Sequence, residues 1–242
     1  MSLFAISDLH LSTHEATNKS MEIFGKRWDD YTFRLEKQWR AVVSPTDTVI
    51  IPGDISWATS LDEALFDLKL LDSLPGQKIL GKGNHDFWWS TMAKHTAFFE
   101  KHKITTISFL HNNFHETDDY LIAGTRGWYL EADAMKTVSE TDFNKIIDRE
   151  TGRLRTSILA AMQRKEEVPG KKVLVFLHFP PFWNGKKTPG IFDLLAEFKI
   201  KDVYFGHIHG NYLLPTDYEY EDLRLHLISA DYLDFLPKII KL

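Results

Sequence analysis

Gly81-Lys82-Gly83-Asn84-His85-Asp86 follows the short strand-like run Lys78-Ile79-Leu80 and brings an amide, an imidazole and a carboxylate together at one strand end. All three side chains offer lone pairs that suit a metal ion. Four further segments repeat the arrangement. Asp8-Leu9-His10 follows Leu3-Phe4-Ala5-Ile6, and Gly53-Asp54 follows Thr48-Val49-Ile50-Ile51. His178, in Leu177-His178-Phe179-Pro180, closes the run from Lys172 to Leu177, and Gly206-His207-Ile208-His209 closes the run from Asp202 to Phe205. Parallel strands present their carboxyl ends along one edge of a sheet, so ligands placed repeatedly at strand ends converge in space. Five such segments supply enough ligands for two metal ions.

Helical text alternates with these strands. Residues 28–43 read as a helix with Tyr31, Leu35, Trp39, Val42 and Val43 near helical spacing. A second helix is expected over 60–73, with Ser60 and Glu63 in capping positions and Pro75-Gly76 as the stop. A third is expected over 87–102. Such alternation means βαβ units rather than a sandwich of hairpins. In the second half, Thr105 to Leu110, Tyr120 to Ala123, Tyr212 to Leu214 and Leu223 to Ile228 read as strands. Residues 133–167 read as a long polar stretch forming a helix or helix pair on the surface, with apolar Ile146, Ile147, Leu154, Ile158, Leu159 and Met162. No repeat, linker or low-complexity segment interrupts the chain, so one α/β domain over 1–242 is expected, with 133–167 as a helical insertion or cap.

Composition narrows the function classes. The 242 residues are 43% hydrophobic and 13% aromatic, enough for an ordinary core. A formal charge of −5 argues against general nucleic-acid binding, for which a basic surface is expected. The chain has no cysteine, which removes disulfides, cysteine-ligated zinc and thiolate-nucleophile chemistry. The first apolar run is too short for a signal peptide, and no stretch approaches the roughly 18 apolar residues of a membrane span. A cytoplasmic protein with no membrane partner is the expectation.

The five motifs, in the order D-x-H, G-D, G-N-H-D, lone H and G-H-x-H over residues 8 to 209, resemble the calcineurin-like metallophosphoesterase superfamily. The stretches Gly53-Asp54-Ile55-Ser56-Trp57-Ala58 and Gly81 to Asp86 are similar to bacterial predicted phosphohydrolases of that superfamily. The resemblance implies a four-layer αββα sandwich of two mixed sheets. It implies that Asp8, His10, Asp54 and His209 hold one metal ion, and that Asp54, Asn84, His178 and His207 hold the other. Asp54 then bridges. Mixed imidazole and carboxylate ligands suit Mn²⁺ or Fe²⁺, with Zn²⁺ as an alternative, better than Ca²⁺ or Mg²⁺. In the family a hydroxide between the ions attacks phosphorus, and the histidine of G-N-H-D, here His85, protonates the leaving oxygen. Asp86 would orient or tune His85. Two divalent ions, two carboxylates and one hydroxide leave a residual charge of +1 that favours an anionic substrate.

Departures from the subfamilies matter as much. Protein Ser/Thr phosphatases carry G-D-x-V-D-R-G and G-N-H-E, whereas here Gly53-Asp54 runs into Ile55-Ser56-Trp57 and the arginine of that motif is missing. Trp57 also stands where purple acid phosphatases place an iron-binding tyrosine. Both absences point to a phosphodiesterase or a small-molecule phosphatase, with a small soluble phosphoester or nucleotide as its partner. A phosphomonoesterase, a nuclease, a lipid-linked nucleotide hydrolase and a catalytically silent scaffold are the rival readings. Arg126, in Gly124-Thr125-Arg126-Gly127-Trp128, is the candidate substrate-binding residue beside His85. Arg149, Arg153 and Arg155 either grip a second phosphate or form a solvated helix face balanced by Asp148 and Glu150. Trp57, Trp88, Trp89, Trp128 and Trp183 read as packing residues or as a stacking platform. His14, His95, His102, His111, His115 and His226 read as structural.

Overall fold

A computed structural model of the protein describes residues 1–15, 17, 19–128 and 140–241. Strands β1 (Leu3–Ala5), β2 (Thr48–Ile51), β3 (Gln77–Leu80) and β4 (Ile107–Phe109) lie parallel and in that order. Helices α1 (Tyr31–Val42), α2 (Leu65–Ser73) and α3 (Met92–His102) connect them, and β13 (Lys238–Ile239) closes the edge antiparallel to β1. In the second sheet the four inner strands are parallel: β6 (Tyr120–Thr125), β7 (Lys172–Leu177), β10 (Asp202–Phe205) and β12 (Leu223–Leu227). Antiparallel β5 (Phe114–Glu116) and β11 (Asp217–Tyr220) form its edges. α4 (Glu140–Glu167) crosses from β6 to β7, and α5 (Ile191–Glu197) lies between β7 and β10 after a small hairpin of β8 (Phe182–Trp183) and β9 (Lys186–Lys187).

Residue alternation builds the layers. Leu3, Ala5 and Ile50 of the first sheet pack with Leu174, Phe176 and Tyr204 of the second, forming the middle of a sandwich. Their neighbours Phe4, Val49 and Ile51 turn outward onto α1, α2 and α3, and Val175, Leu177, Val203 and Phe205 turn outward onto α4 and α5. Strands buried on both faces lose the polar alternation of a solvated sheet, which is why these runs are uniformly apolar. The result is the expected α/β four-layer sandwich of two mixed sheets. A parallel bridge between Ser7 and Ser229 joins the two sheets just beyond the carboxyl ends of β1 and β12. That seam is where the ligand-bearing loops meet.

Several sequence expectations change in detail. The first helix starts at Tyr31, after a 3-10 turn over Lys26–Trp28. Ser60 and Glu63 do close a turn, with the Glu63 carboxylate accepting from Thr59 N, but α-helical bonding begins only at Leu65. The third helix starts at Met92, capped by Thr91, after a non-helical loop in which the Trp88 indole donates to Asp86 and Ser90 N donates to His95 Nε2. Tyr212 to Leu214 form a turn rather than a strand, ended by Pro215, and the strand lies at Asp217–Tyr220. Within 133–167, residues 133–139 lie outside the described residues. The described part is one helix, α4, whose Leu154, Ile158 and Ala161 are fully buried against the second sheet.

Candidate metal centre and its surroundings

Each ligand-bearing loop leaves the carboxyl end of a strand: β1 for Asp8 and His10, β2 for Asp54, β3 for Asn84, β7 for His178, and β10 for His207 and His209. Four of these residues adopt the left-handed backbone conformation, Asp8 at φ 59°, His10 at 45°, Asp54 at 50° and His207 at 68°. Such geometry costs about 1–3 kcal/mol per non-glycine residue and persists only where surroundings over-determine it. Here the loops are bonded to one another: Asp8 N to Gly53 O at 3.1 Å, His10 N to Asp54 O at 2.9 Å, and Gly206 N to His178 O at 3.1 Å. Glycines allow the approach. A Cβ on Gly83 would lie 2.0 Å from Asp54 Oδ1, and one on Gly206 would lie 2.1 Å from Asp8 Oδ2.

The side chains converge as two groups, Asp8 with His10 and His209, and Asp54 with His178 and His207, each with ligand atoms within 4.8 Å of one another. Asp54 Oδ2 stands between them, 3.7 Å from His10 Nε2 and 3.6 Å from His178 Nε2. Asn84 Oδ1 joins the second group, 2.7 Å from His178 Nε2 and 2.9 Å from His207 Nδ1. In the first group, His209 Nε2 is 3.4 Å from Asp8 Oδ1 and 3.4 Å from His10 Nε2. These are mostly lone-pair donors turned toward one another, and a cation between them resolves the crowding. Buried His10 Nδ1 and His178 Nδ1 have no hydrogen-bond partner among the described residues, so nothing else in the fold consumes these rings. The donor set fits two divalent ions.

Burial and charge set the proton affinities. Burial pushes the His10 imidazole down to about 3, and pushes His178 well below the usual histidine range. Both are therefore neutral and free to ligate. Burial works against a charged His209 as well, but Asp231 and Asp8 outweigh it and lift this histidine to about 10. Burial, with Asp8 and Asp86 nearby, raises the Asp54 carboxyl well above the carboxylate range. For Asp8 burial is opposed by His209, His178 and His10, which hold it far down. A cation beside Asp54 would remove the penalty on its charged form.

The other expected site residues divide. His85 stands at the rim, 36% exposed, with Nε2 4.0 Å from Asp54 Oδ2 and its ring 4.3 Å from that of Trp57. Its N–H donates to Asp54 Oδ1 at 2.8 Å, which fixes its backbone to the centre. Burial and His207 push its imidazole down to about 4. Asp86 does not orient His85. Its carboxylate accepts from Gly83 N at 2.7 Å, Asp54 N and Ile55 N at 2.9 Å, Ser56 N at 3.3 Å and the Trp88 indole at 3.0 Å. Those bonds staple two ligand loops together and leave the imidazole untouched. Arg126 follows β6, and its carbonyl accepts from His178 N and Phe179 N, both at 3.0 Å. Arg155 turns away and pairs with Glu197 at 2.7 and 2.6 Å.

Three acidic or polar positions carry no short motif in the sequence. Asp231 Oδ1 lies 2.9 Å from His209 Nδ1, Ser229 Oγ donates to Asp8 Oδ2 at 3.1 Å, and Tyr212 OH donates to Asp231 Oδ2 at 2.9 Å. A carboxylate behind a ligating imidazole fixes its tautomer and raises its basicity. Ser229-Ala230-Asp231 follows the apolar run ending at Ile228, the same strand-end signal that marked the other motifs. Buried Asp67 binds the Thr13 N–H at 2.9 Å and both the Thr13 and Ser56 hydroxyls, tying the loop after His10 to the loop after Asp54.

A family model for calcineurin-like phosphoesterases matches residues 1–211. The chain belongs to that family. It is thereby a metal-dependent phosphoric ester hydrolase, of a family that works with two metal ions. Among solved structures, the phosphopantetheinyl hydrolase PptH from Mycobacterium tuberculosis superposes with a TM-score of 0.56 at 16% identity, covering 99% of this chain and 95% of its own. TT1561 of Thermus thermophilus superposes with a TM-score of 0.53 at 10% identity, covering 95% and 89%. At those identities the likeness is one of fold. No match was found among curated proteins. Among the described residues, no helix is long and apolar enough to cross a membrane.

Proposed function

We propose that the chain is a phosphodiesterase acting on a small soluble organophosphate or nucleotide in the cytoplasm, with His85 as the general acid. The observation that carries this reading is the position of Asp54 Oδ2 between two ligand groups, with His85 Nε2 at the rim 4.0 Å away. Asp8, His10, Asp54 and His209 would hold one ion, and Asp54, Asn84, His178 and His207 the other, as Mn²⁺ or Fe²⁺ with Zn²⁺ as the alternative. When bound, such a pair supplies Lewis acidity and an activated water held in line with the attacked phosphorus.

The protein's own residues do the rest. Trp57 stacks on His10 at 4.9 Å and packs on His85, so it shields one side of the site from water. His85 is wet enough to reach a leaving oxygen and buried enough to be sensitive to charge. An anionic phosphoester beside it favours the protonated imidazole and offsets the downward push of burial. As the phosphorus–oxygen bond breaks, the proton passes from His85 to the departing oxygen. A diester is favoured because no arginine stands in the motif after Asp54 to take up a second non-bridging charge.

Aryl and alkyl diesters offered to the Mn²⁺-loaded protein test this. His85→Ala should retain metal and lose most rate on the poor alkoxide leaving group, by roughly 10²–10⁴-fold, with a smaller loss on p-nitrophenoxide. Equal losses on both would remove His85 from the acid role. A strong preference for p-nitrophenyl phosphate over its bis-ester would instead make the chain a monoesterase.

A further inference from the structure

Beside the metal centre, three arginines from two separate elements share one carboxylate, with a lysine from a third element nearby. Glu150 lies on α4 and is fully buried. Its Oε1 faces Arg153 Nη1 at 2.9 Å, Arg149 Nε at 3.6 Å and Arg126 Nη2 at 3.7 Å, while Thr125 Oγ1 donates to Oε2 at 2.9 Å. Lys82, in the loop that carries Asn84, feels the charges of Arg126, Asp86, Arg153 and Glu150. Glu150 alone cannot neutralise its three arginines, and each guanidinium spends only part of its fork on it. Two details show unused capacity. Arg126 is 17% exposed, yet its Nε is buried without a partner among the described residues. Lys82 is half-buried and makes no hydrogen bond or ion pair among them.

The cluster is anchored to the metal centre by contact. The Arg126 guanidinium lies over the Trp128 ring at 4.9 Å, Trp128 packs on Phe179 at 5.0 Å, and Phe179 packs on His207 at 4.4 Å. Lys82 stands two residues before Asn84, at the end of β3, and Arg126 at the end of β6, so the cations occupy the crevice where both sheets end. Buried Glu150 places the guanidinium groups and sets their spacing, leaving their outward N–H groups for a ligand. Planar forks of this kind match phosphate oxygens two at a time.

We propose that Lys82, Arg126, Arg149 and Arg153 form an anion subsite that takes a second, terminal phosphate of the substrate, so that the preferred substrate is a phosphodiester carrying a phosphate monoester group. This rests on the phosphodiesterase reading above. The cluster gives that reading a substrate class, since a neutral leaving group or a sugar alone would leave these donors unmatched.

The experiment compares the p-nitrophenyl ester of thymidine 5′-phosphate with the same ester bearing a 3′-phosphate, both hydrolysed by Mn²⁺-loaded protein and read by p-nitrophenol release. The extra phosphate should raise kcat/KM by about ten-fold or more, the size expected for hydrogen bonds to charged groups. That preference should shrink about ten-fold in Lys82→Ala, where no bond within the fold is broken, and in Arg153→Ala. Arg153→Lys keeps the charge beside Glu150, protecting the fold, and should recover only part of the preference. Hydrolysis of both esters with no preference, or a preference that none of the variants changes, overturns the subsite and leaves the phosphodiesterase reading standing. No hydrolysis of either ester, or of bis-p-nitrophenyl phosphate, overturns that reading and this inference with it.

Discussion

Asp54 and Asp86 carry the same side chain, lie buried in adjoining loops and are both pushed upward first of all by burial, yet their surroundings are opposite. Asp86 accepts bonds from four backbone N–H groups and the Trp88 indole. Asp54 accepts only from His85 N among the described residues, and its Oδ2 faces nitrogens of His10, His178 and His85 at 3.7, 3.6 and 4.0 Å. A carboxylate saturated with donors holds a structure together. One left short of donors, among imidazoles, is shaped for a cation. The difference separates stability from chemistry within a few ångströms of chain.

Substitutions can break that comparison. Asp54→Asn should abolish binuclear binding and cut hydrolysis by well over about a hundred-fold, since even residues behind metal ligands are worth about 10–100-fold. Its melting temperature should hardly fall, as its carboxylate satisfies one backbone donor only. Full activity in that variant, or in excess chelator, would sink the assignment. Asp86→Ala should do the reverse first: five donors lose their acceptor, and unfolding by urea should show a loss of about 3 kcal/mol or more. If Asp86→Ala melts like the wild type, the loop staple is wrong.

A smaller effect is expected behind the ligands. Asp231→Asn keeps the shape but weakens the hold on His209, so metal affinity or turnover should fall about 10–100-fold with the fold intact. Titration of Mn²⁺ into the variant measures this, and an unchanged affinity would return Asp231 to a purely structural role. The smallest effect lies far from the site. Burial works against a charged His226, but Asp202 and Asp217, at 3.3 and 2.6 Å, raise it above its usual 6.5. A raised histidine contributes stability that is complete below about pH 6.5 and is lost as pH climbs through its folded value. Wild type should therefore lose a modest part of its stability as pH rises above about 6.5 that His226→Gln does not. Parallel pH profiles of the two would contradict it.

Much of the site was legible because each of its loops begins at a strand end, and a strand end is visible as an apolar run followed by polar residues. Asp8, His10, Asp54, Asn84, His178, His207 and His209 were all readable in this way, and the structure gathers them at one seam. Asp231 carried the same signal after Ile228 but belonged to no short motif, so its relation to His209 emerged only in three dimensions. Asp86 misleads for the opposite reason. It sits beside His85 in sequence, but successive residues in a tight loop point apart, and the carboxylate turns inward to the backbone of another loop.

The periodicity of apolar residues and the ligand types at strand ends determined the α/β class, the βαβ order of the first sheet and the metal chemistry. Those properties depend on neighbours along the chain, which a sequence displays. The pairing of Glu150 with Arg126, the stapling role of Asp86 and the docking of α4 on the second sheet were decided by tertiary structure alone. Each depends on groups that meet only once elements distant along the chain have packed, across separations such as the 25 residues between Thr125 and Glu150. Periodicity could show that α4 had an apolar face, but not that Glu150 on the same helix would be buried as the counter-ion to three arginines.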